Sequence, residues 1–387
     1  MTPRPVAEAL LDRIELRPGM RVLDPGVGTG ELLRAALDRE PGLRCCGWDI
    51  DESALAAASE LVPEASLELR SAIAPPPAER RDFDLVIGNP PYFQLRLDPA
   101  ERQRFAGVLS GRANIFALFF QAGLDFLAPG GRLGFIVPPS MNSGAYFESL
   151  REHLTSRATV EDLTILDGTD WFEGANTAVQ LLVLSKPEVP SARPSFVFKR
   201  EVPEAAFRRV ILSAEPDRLA AEFEGRRTLW DLGLEATTGR VIWNENRERL
   251  HGGPGPGRVP LIWSHSIADG GLKPPEDGRR GKPGFYDTRD GGRASSTGPA
   301  IVVNRVVGAV GRGELRAAVV PGGMEFVAEN HVNVILPRKG LPDAGVDWEE
   351  VLVALRQPDV AGRIRLLTGN TQISARELTH LLPLTGL

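Results

Sequence analysis

Val22-Leu23-Asp24-Pro25-Gly26-Val27-Gly28-Thr29-Gly30 begins as a short apolar strand, ends that strand on a carboxylate, and turns through glycines into Glu31 to Arg39, which reads as a helix. Glycines in such a turn let the backbone approach a ligand closely. Strand, glycine turn and helix are the opening unit of a βαβ fold. Working outward, Arg21 to Leu23 is the β-rich run, Leu43 to Ile50 reads as a second strand closing on Asp49 and Asp51, and Glu52 to Leu61 as a second helix. Phe83 to Gly88 is an apolar run suited to a strand buried on both faces. Ala113 to Leu127 reads as a helix, Pro129-Gly130-Gly131 as a turn, and Arg132 to Val137, Val160 to Leu166 and Ala178 to Leu184 as further strands. The alternation predicts an α/β domain on a largely parallel, Rossmann-like sheet.

After Lys186 the character changes, beginning with the closely spaced Pro187, Pro190 and Pro194. Gly- and Pro-rich loops at His251 to Pro260 and Gly278 to Gly298 then separate strand-like runs at Val259 to Trp263, Ala300 to Val310, Leu315 to Val320 and His331 to Leu336. Helical stretches follow at Trp348 to Arg356 and Val360 to Leu367. A chain of 387 residues is long for one domain. The expected organisation is a catalytic domain over residues 1–190 and a mixed, loop-rich recognition domain over residues 191–387.

The net charge of −6 is unevenly spread. Of the 45 Lys+Arg, 27 lie in residues 191–387 beside 24 of the 51 Asp+Glu, so the remaining 18 basic residues share the first half with 27 acidic ones. A mildly basic second half behind an acidic first half fits a catalytic domain followed by one that touches nucleic acid, although the balance is far below that of a dedicated DNA-binding module. No apolar run reaches the roughly 20 residues that span a bilayer, and Met1 to Leu10 lacks a basic region followed by a long apolar stretch. A cytoplasmic protein without a membrane partner is expected. The two cysteines, Cys45 and Cys46, are neighbours, which fits neither a disulfide framework nor a zinc site. They read as half-buried residues of one strand, and no metal-ligand cluster is expected.

Asp24 decides between cofactors. A carboxylate at that strand end repels a pyrophosphate but attracts the ammonium and sulfonium charges of S-adenosylmethionine. The glycine loop alone would also admit a nicotinamide dinucleotide. Asp49 ends the next strand, where a carboxylate commonly accepts hydrogen bonds from ribose hydroxyls, and Ile50 beside it is placed to pack on an adenine face.

The second decisive stretch is Asn89-Pro90-Pro91-Tyr92, directly after the strand Phe83 to Gly88, where ligands bind in open α/β sheets. An amine conjugated to a ring or carbonyl is a poor nucleophile because its lone pair is delocalised. The side-chain oxygen of Asn89 and the carbonyl of Pro90 are placed to accept its two N–H protons, which draws the nitrogen toward a tetrahedral form and aims its lone pair at an electrophilic methyl. The two prolines hold the acceptors rigid, and Tyr92 is placed to stack on the planar group.

These motifs resemble the gamma class of N6-adenine DNA methyltransferases of restriction-modification systems, from Thr2 to about Leu184 and more loosely to the end. The resemblance implies a class I methyltransferase domain, S-adenosylmethionine as cofactor and duplex DNA as partner, with the target adenine flipped out of the helix. It carries Thr2, Asp24 and Gly26 to the methionine and amino-acid end of the cofactor, beside Gly28 and Gly30 of the same cofactor-binding turn, Asp49 and Ile50 to its ribose and adenine, and Phe119 to its adenine face. Phe172, in Trp171-Phe172-Glu173-Gly174, matches the aromatic that packs on the flipped base opposite Tyr92. One position departs from the pattern: where the family usually places an Asp that binds the cofactor's adenine amine, Ser71 or Ala72 stands here, and a hydroxyl is a weaker acceptor than a carboxylate.

Asn-Pro-Pro-Tyr also occurs in glutamine N5-methyltransferases of release factors and in guanine N2-methyltransferases of RNA, so an amine of protein or RNA is the alternative substrate; a catalytically weak DNA-specificity module is the third reading. The long second half favours DNA. Its close, Leu366 to Leu378 followed by Leu381-Leu382-Pro383-Leu384, resembles the end of adenine-family recognition domains, and Ser374 with Glu377 reads as a capped helix start. Arg279, Arg280, Lys282, Arg305 and Arg312 are candidates for phosphate or base contacts. A monomer is expected, and any cognate restriction endonuclease would be a separate chain.

Overall fold

Arg21–Asp24 (β1) is an interior strand of a seven-stranded sheet, and its apolar side chains find partners on both faces. Leu23 joins one buried cluster with Val86 and Phe135, while Val22 joins another with Leu85, Ile87 and Ile136. The computed structural model describes all residues except 76–81, 167, 169–170, 173–177, 188–194, 203–206, 269, 276–281, 306–314, 341–344 and 370–372. The chain divides into two units, Met1–Asp217 and Arg218–Leu387.

The first unit runs α1 (Arg4–Leu11), β1, α2 (Glu31–Arg39), β2 (Arg44–Asp49), α3 (Glu52–Leu61), β3 (Ser66–Leu69), β4 (Phe83–Gly88), α4 (Ile115–Phe126), β5 (Leu127–Val137), α5 (Glu148–Arg157), β6 (Thr159–Leu166) and β7 (Val179–Ser185). In these labels the sheet order is β3-β2-β1-β4-β5-β7-β6. Strands β3 to β5 pair in parallel, and β7 runs antiparallel to both β5 and β6. The order reverses between β1 and β4, which opens a crevice at their carboxyl ends. This is a Rossmann-like, largely parallel α/β sheet, as the alternation of strands and helices predicted.

Three readings of the sequence need adjusting. The helix expected from Ala113 starts at Ile115, because Ala113–Asn114 pairs with Gln94–Leu95 and the Asn114 side chain then caps the helix by accepting from the Phe116 N–H. Pro129-Gly130-Gly131 is not a turn between elements. It lies within β5, where the β4 register shifts between Phe83 and Leu85; the Gly130 N–H donates to Lys186 O at 2.7 Å and the Lys186 N–H to Gly131 O at 2.9 Å. Gly130 takes a φ of +79°, which a side chain would strain.

The third concerns the domain boundary, which falls after Asp217 rather than at 190. The proline-spaced stretch leads into an antiparallel hairpin, Val197–Val202 with Phe207–Leu212, that completes the first unit. Leu212 is fully buried in its core, and the Leu212 N–H donates to Asn142 O at 3.0 Å. Arg151 of α5, itself buried, donates to the carbonyls of Val210, Met141 and Gly144, so the hairpin supplies part of its shell. Composition marked a crossing between elements, but burial places the hairpin with the residues before it.

The second unit is mixed. One sheet has the order Leu234–Thr238, Val332–Pro337, Ala300–Asn304, Ala317–Val320. Another sets Arg258–Ile262 between Phe285–Asp287 and Glu325–Ala328. Helices Trp348–Leu355, Val360–Thr368 and Ala375–His380 follow, and the last opens on the capping box of Ser374 and Glu377. Among the described residues no helix is long and apolar enough to cross a membrane.

Candidate active site

The glycine loop folds as its residues dictate. Gly28 and Gly30 adopt φ of +52° and +90°, the left-handed region, and Gly30 hands the chain to α2. A Cβ on Gly26 would stand 3.1 Å from the Phe119 ring, so that glycine lets the loop lie against α4. The Gly28 N–H donates to Asp49 Oδ2 at 2.9 Å, tying the loop to the end of β2.

These elements enclose a cavity of about 360 Å³. Thr2, Asp24, Gly26, Gly28, Asp49, Ile50, Ser71 and Phe119 all line it; Gly30 does not, and acts through the turn alone. Asp24 is 2% exposed and accepts one bond, from the Gly26 N–H at 3.1 Å. Burial pushes its carboxyl up to about 7, aided by the nearby charge of Asp49 and opposed by the Gly26 N–H. A cation beside it would return it to its ionised form. At the other end Ile50 is 72% exposed although it lines the cavity, an apolar face open to a planar group. A buried carboxylate that lacks a cation, a second carboxylate at the end of β2 and a bare isoleucine fit the amino-acid, ribose and adenine parts of S-adenosylmethionine. The buried Asp24 at the end of β1 is what disfavours the pyrophosphate of a nicotinamide dinucleotide.

A second cavity, about 1150 Å³, adjoins the first and holds Pro90, Tyr92, Trp171 and Phe172. Met1, Thr2, Glu31, Asn89 and Pro91 line both. Asn89 is fixed from two sides: its Nδ2 donates to Thr2 Oγ1 at 3.2 Å, and its Oδ1 lies 3.0 Å from the Tyr92 hydroxyl. Tyr92 also donates to the carbonyl of Ile136 at 2.8 Å, its ring is 50% exposed, and its edge rests on Phe116. Burial of the hydroxyl raises its pKa. Thr2, expected near the methionine part of the cofactor, is thereby also the partner that orients Asn89.

Among the lining residues that sequence reasoning passed over, four stand out. Glu31 follows the last glycine of the loop, Phe93 follows Tyr92 and is 50% exposed, Trp171 precedes Phe172, and Arg70 follows β3. The first three sit beside recognised motifs, so adjacency was the available signal. Arg70 too adjoins a position that had been singled out, Ser71, but β3 was not read as a strand, so its place at the strand end was missed.

Ser71 lines the first cavity, with its hydroxyl 3.4 Å from the Ile73 N–H. In the second unit Lys282 lies 5.1 Å over the Trp263 ring and Arg305 is exposed. Arg279, Arg280 and Arg312 lie outside the described residues, as do Glu173 and Gly174. Cys45 is buried in β2, which pushes its thiol up to about 12, and Cys46 is half-buried.

Residues 48–172 match the Eco57I restriction-modification methylase family. The Eco57I-type segment spans Asp49, Asn89 to Tyr92, Phe119 and Phe172 and begins after the glycine loop. Three relatives are similar to part of this chain. Type II methyltransferase M.BsuBI of Bacillus subtilis is 23% identical over 51% of this chain and 44% of its own length. Type II methyltransferase M.XhoI of Xanthomonas vasicola is 32% identical over 44% of this chain and 35% of its own length. The tRNA (guanine(6)-N2)-methyltransferase of Thermus thermophilus is 33% identical over 34% of this chain and 38% of its own length. The chain thus spans less than half the length of these relatives.

Proposed function

We propose that this chain is a DNA methyltransferase of the restriction-modification type that methylates the N6 amine of adenine in duplex DNA, with the target base flipped into the larger cavity. The observation that carries this reading is the shared wall: Asn89, oriented by Thr2 and Tyr92, faces both the cofactor-shaped cavity and the aromatic one. The catalytic domain then extends over the first unit and the recognition domain over the second.

When bound, S-adenosylmethionine supplies an electrophilic methyl group on a sulfonium. Asp24 holds the ammonium end, Asp49 the ribose, and Ile50 and Phe119 the adenine. In the adjoining cavity Asn89 Oδ1 and the Pro90 carbonyl accept the protons of the target amine, and charge developing on its nitrogen is met by these fixed dipoles. Tyr92 and Phe172 stack on the base. Flipping costs a few kcal/mol, and stacking returns about 1–3 kcal/mol per base.

The likeness to a tRNA guanine N2-methyltransferase supports a second reading, transfer to an RNA amine. Incubation with tritiated S-adenosylmethionine and unmethylated bacterial DNA, beside tRNA, followed by nucleoside analysis, separates the two. N6-methyladenine formed by the wild type and lost in Asn89→Ala is the expected result. Label in N2-methylguanine and none in DNA would replace the first reading by the second, and label in neither would sink both.

A further inference from the structure

At Ser71, among the described residues, the adenine end of the cofactor cavity has a hydroxyl where a carboxylate was expected, and the charged side chain beside it is a cation. Arg70 lines the cavity directly after β3, and its backbone N–H donates to Asp49 O at 2.7 Å, which sets it beside Ile50. Its guanidinium is held rather than free to sweep: it lies 4.8 Å over the ring of Trp48, a residue buried in the core, and its Nη2 donates to Pro75 O at 3.0 Å. Its Nε is buried with no hydrogen-bond partner among the described residues.

A guanidinium has five N–H donors and no acceptor. It cannot receive the amino protons of an adenine, as a carboxylate would, but it donates to ring nitrogens or to an exocyclic oxygen, the bidentate pattern by which arginine reads a 6-oxopurine. The exposed Ile50 covers a purine face, whereas one face of the Arg70 guanidinium already rests on Trp48. The edge is what Arg70 has left to offer.

We infer that Arg70 is the residue that reads the purine edge of the cofactor, as a donor, and that this site therefore accepts a 6-oxopurine in place of adenine. The inference rests on the cofactor reading above and deepens it: the chain binds S-adenosyl compounds without the amine-specific acceptor that would reject their deaminated counterparts.

The test is a calorimetric titration of the full chain with S-adenosylhomocysteine and with S-inosylhomocysteine, which requires no catalytic turnover. In the wild type the two dissociation constants are expected to agree within about threefold. In Arg70→Met, which keeps an apolar stem on Trp48, the inosine compound is expected to weaken by about tenfold or more while the adenosine compound changes less. In Arg70→Glu the site gains an acceptor, and preference for the adenosine compound is expected to reach about thirtyfold. A wild type that rejects the inosine compound by that margin, or an Arg70→Met that weakens both compounds equally, would overturn the inference and leave the cofactor reading standing. Failure of the wild type to bind S-adenosylhomocysteine at all would overturn both.

Discussion

Oη of Tyr92 lies 3.0 Å from Oδ1 of Asn89, yet its single proton has a shorter partner, the carbonyl of Ile136 at 2.8 Å. One hydroxyl donates one proton at a time. The proton is shared between the two acceptors, so Tyr92 steadies Asn89 Oδ1 while leaving it a lone pair for an incoming amine, and the tyrosine ring is held where it lines the larger cavity.

Substitutions at Tyr92 should therefore divide two roles. Tyr92→Phe keeps the ring and loses the tether, so methyl transfer is expected to fall by several-fold, about 1 kcal/mol. Tyr92→Ala removes the platform as well, and a loss of about 1–3 kcal/mol in stacking predicts a further drop of roughly 5- to 150-fold. Single-turnover transfer rates on DNA measure both. Equal losses in the two variants would mean that the ring does not stack on the substrate.

Asp24 gives the site a pH dependence. Its carboxyl is held up to about 7 by burial, against about 3.9 for a free aspartate. The unfolded chain gives up this proton near pH 4 and the folded chain only near pH 7, so the group's contribution to stability declines as pH rises through that window and is constant above it. An ammonium bound beside Asp24 favours the ionised form. At about pH 6, binding of S-adenosylhomocysteine is expected to release a proton, and affinity should climb until about pH 7. Calorimetry in two buffers of different ionisation enthalpy reads the proton directly. Asp24→Asn should abolish the release and weaken binding by about tenfold or more; a release that survives the substitution would assign the titration elsewhere.

Gly30 carries a conformational demand. At a φ of +90° any side chain is strained, and a Cβ would stand 3.0 Å from Val62 and 3.4 Å from Ala58 on the neighbouring helix. Gly30→Ala is expected to cost about 1–3 kcal/mol and to lower the melting temperature by several degrees. A melting curve superposable on the wild type would show that the turn relaxes.

The boundary at Asp217 can be tested by truncation. A fragment of residues 1–190 lacks the hairpin, so it strips Leu212 from the core beside α5 and removes a carbonyl partner from the buried Arg151. Breaking such a shell costs about 1–3 kcal/mol beyond the lost apolar burial. Residues 1–217 are expected to unfold cooperatively on heating and residues 1–190 to aggregate or melt without a transition. Equal cooperativity in the two would return the hairpin to the second unit.

Much of the catalytic half was legible because its signals are local. The alternation of apolar runs and glycine turns located β1, α2, α3 and β4 to within a residue, and Asn89 with Asp24 followed from chemistry demanded at strand ends. What was illegible depends on contacts made over long distances in sequence. β3 is only four residues, Ser66–Leu69, with a mixed burial pattern that shows no clean alternation, so Arg70 beyond it went unnoticed. The hairpin to Leu212 has a loop-like approach, and the Val210 carbonyl it offers to Arg151, with Leu212 buried in the core, reveals where it belongs. In the second unit the strands were found roughly but their pairing was not, since Leu234–Thr238 partners Val332–Pro337 almost a hundred residues away.

The two cavities share Thr2, Glu31, Asn89 and Pro91, and this common wall has a thermodynamic consequence. A ligand that stiffens these residues from one side has already met the entropy of ordering them for the other. Occupancy of either cavity then raises affinity in its neighbour, and by linkage the factor is the same in both directions. A methyl donor and its acceptor that meet across such a wall would bind as partners rather than as independent guests.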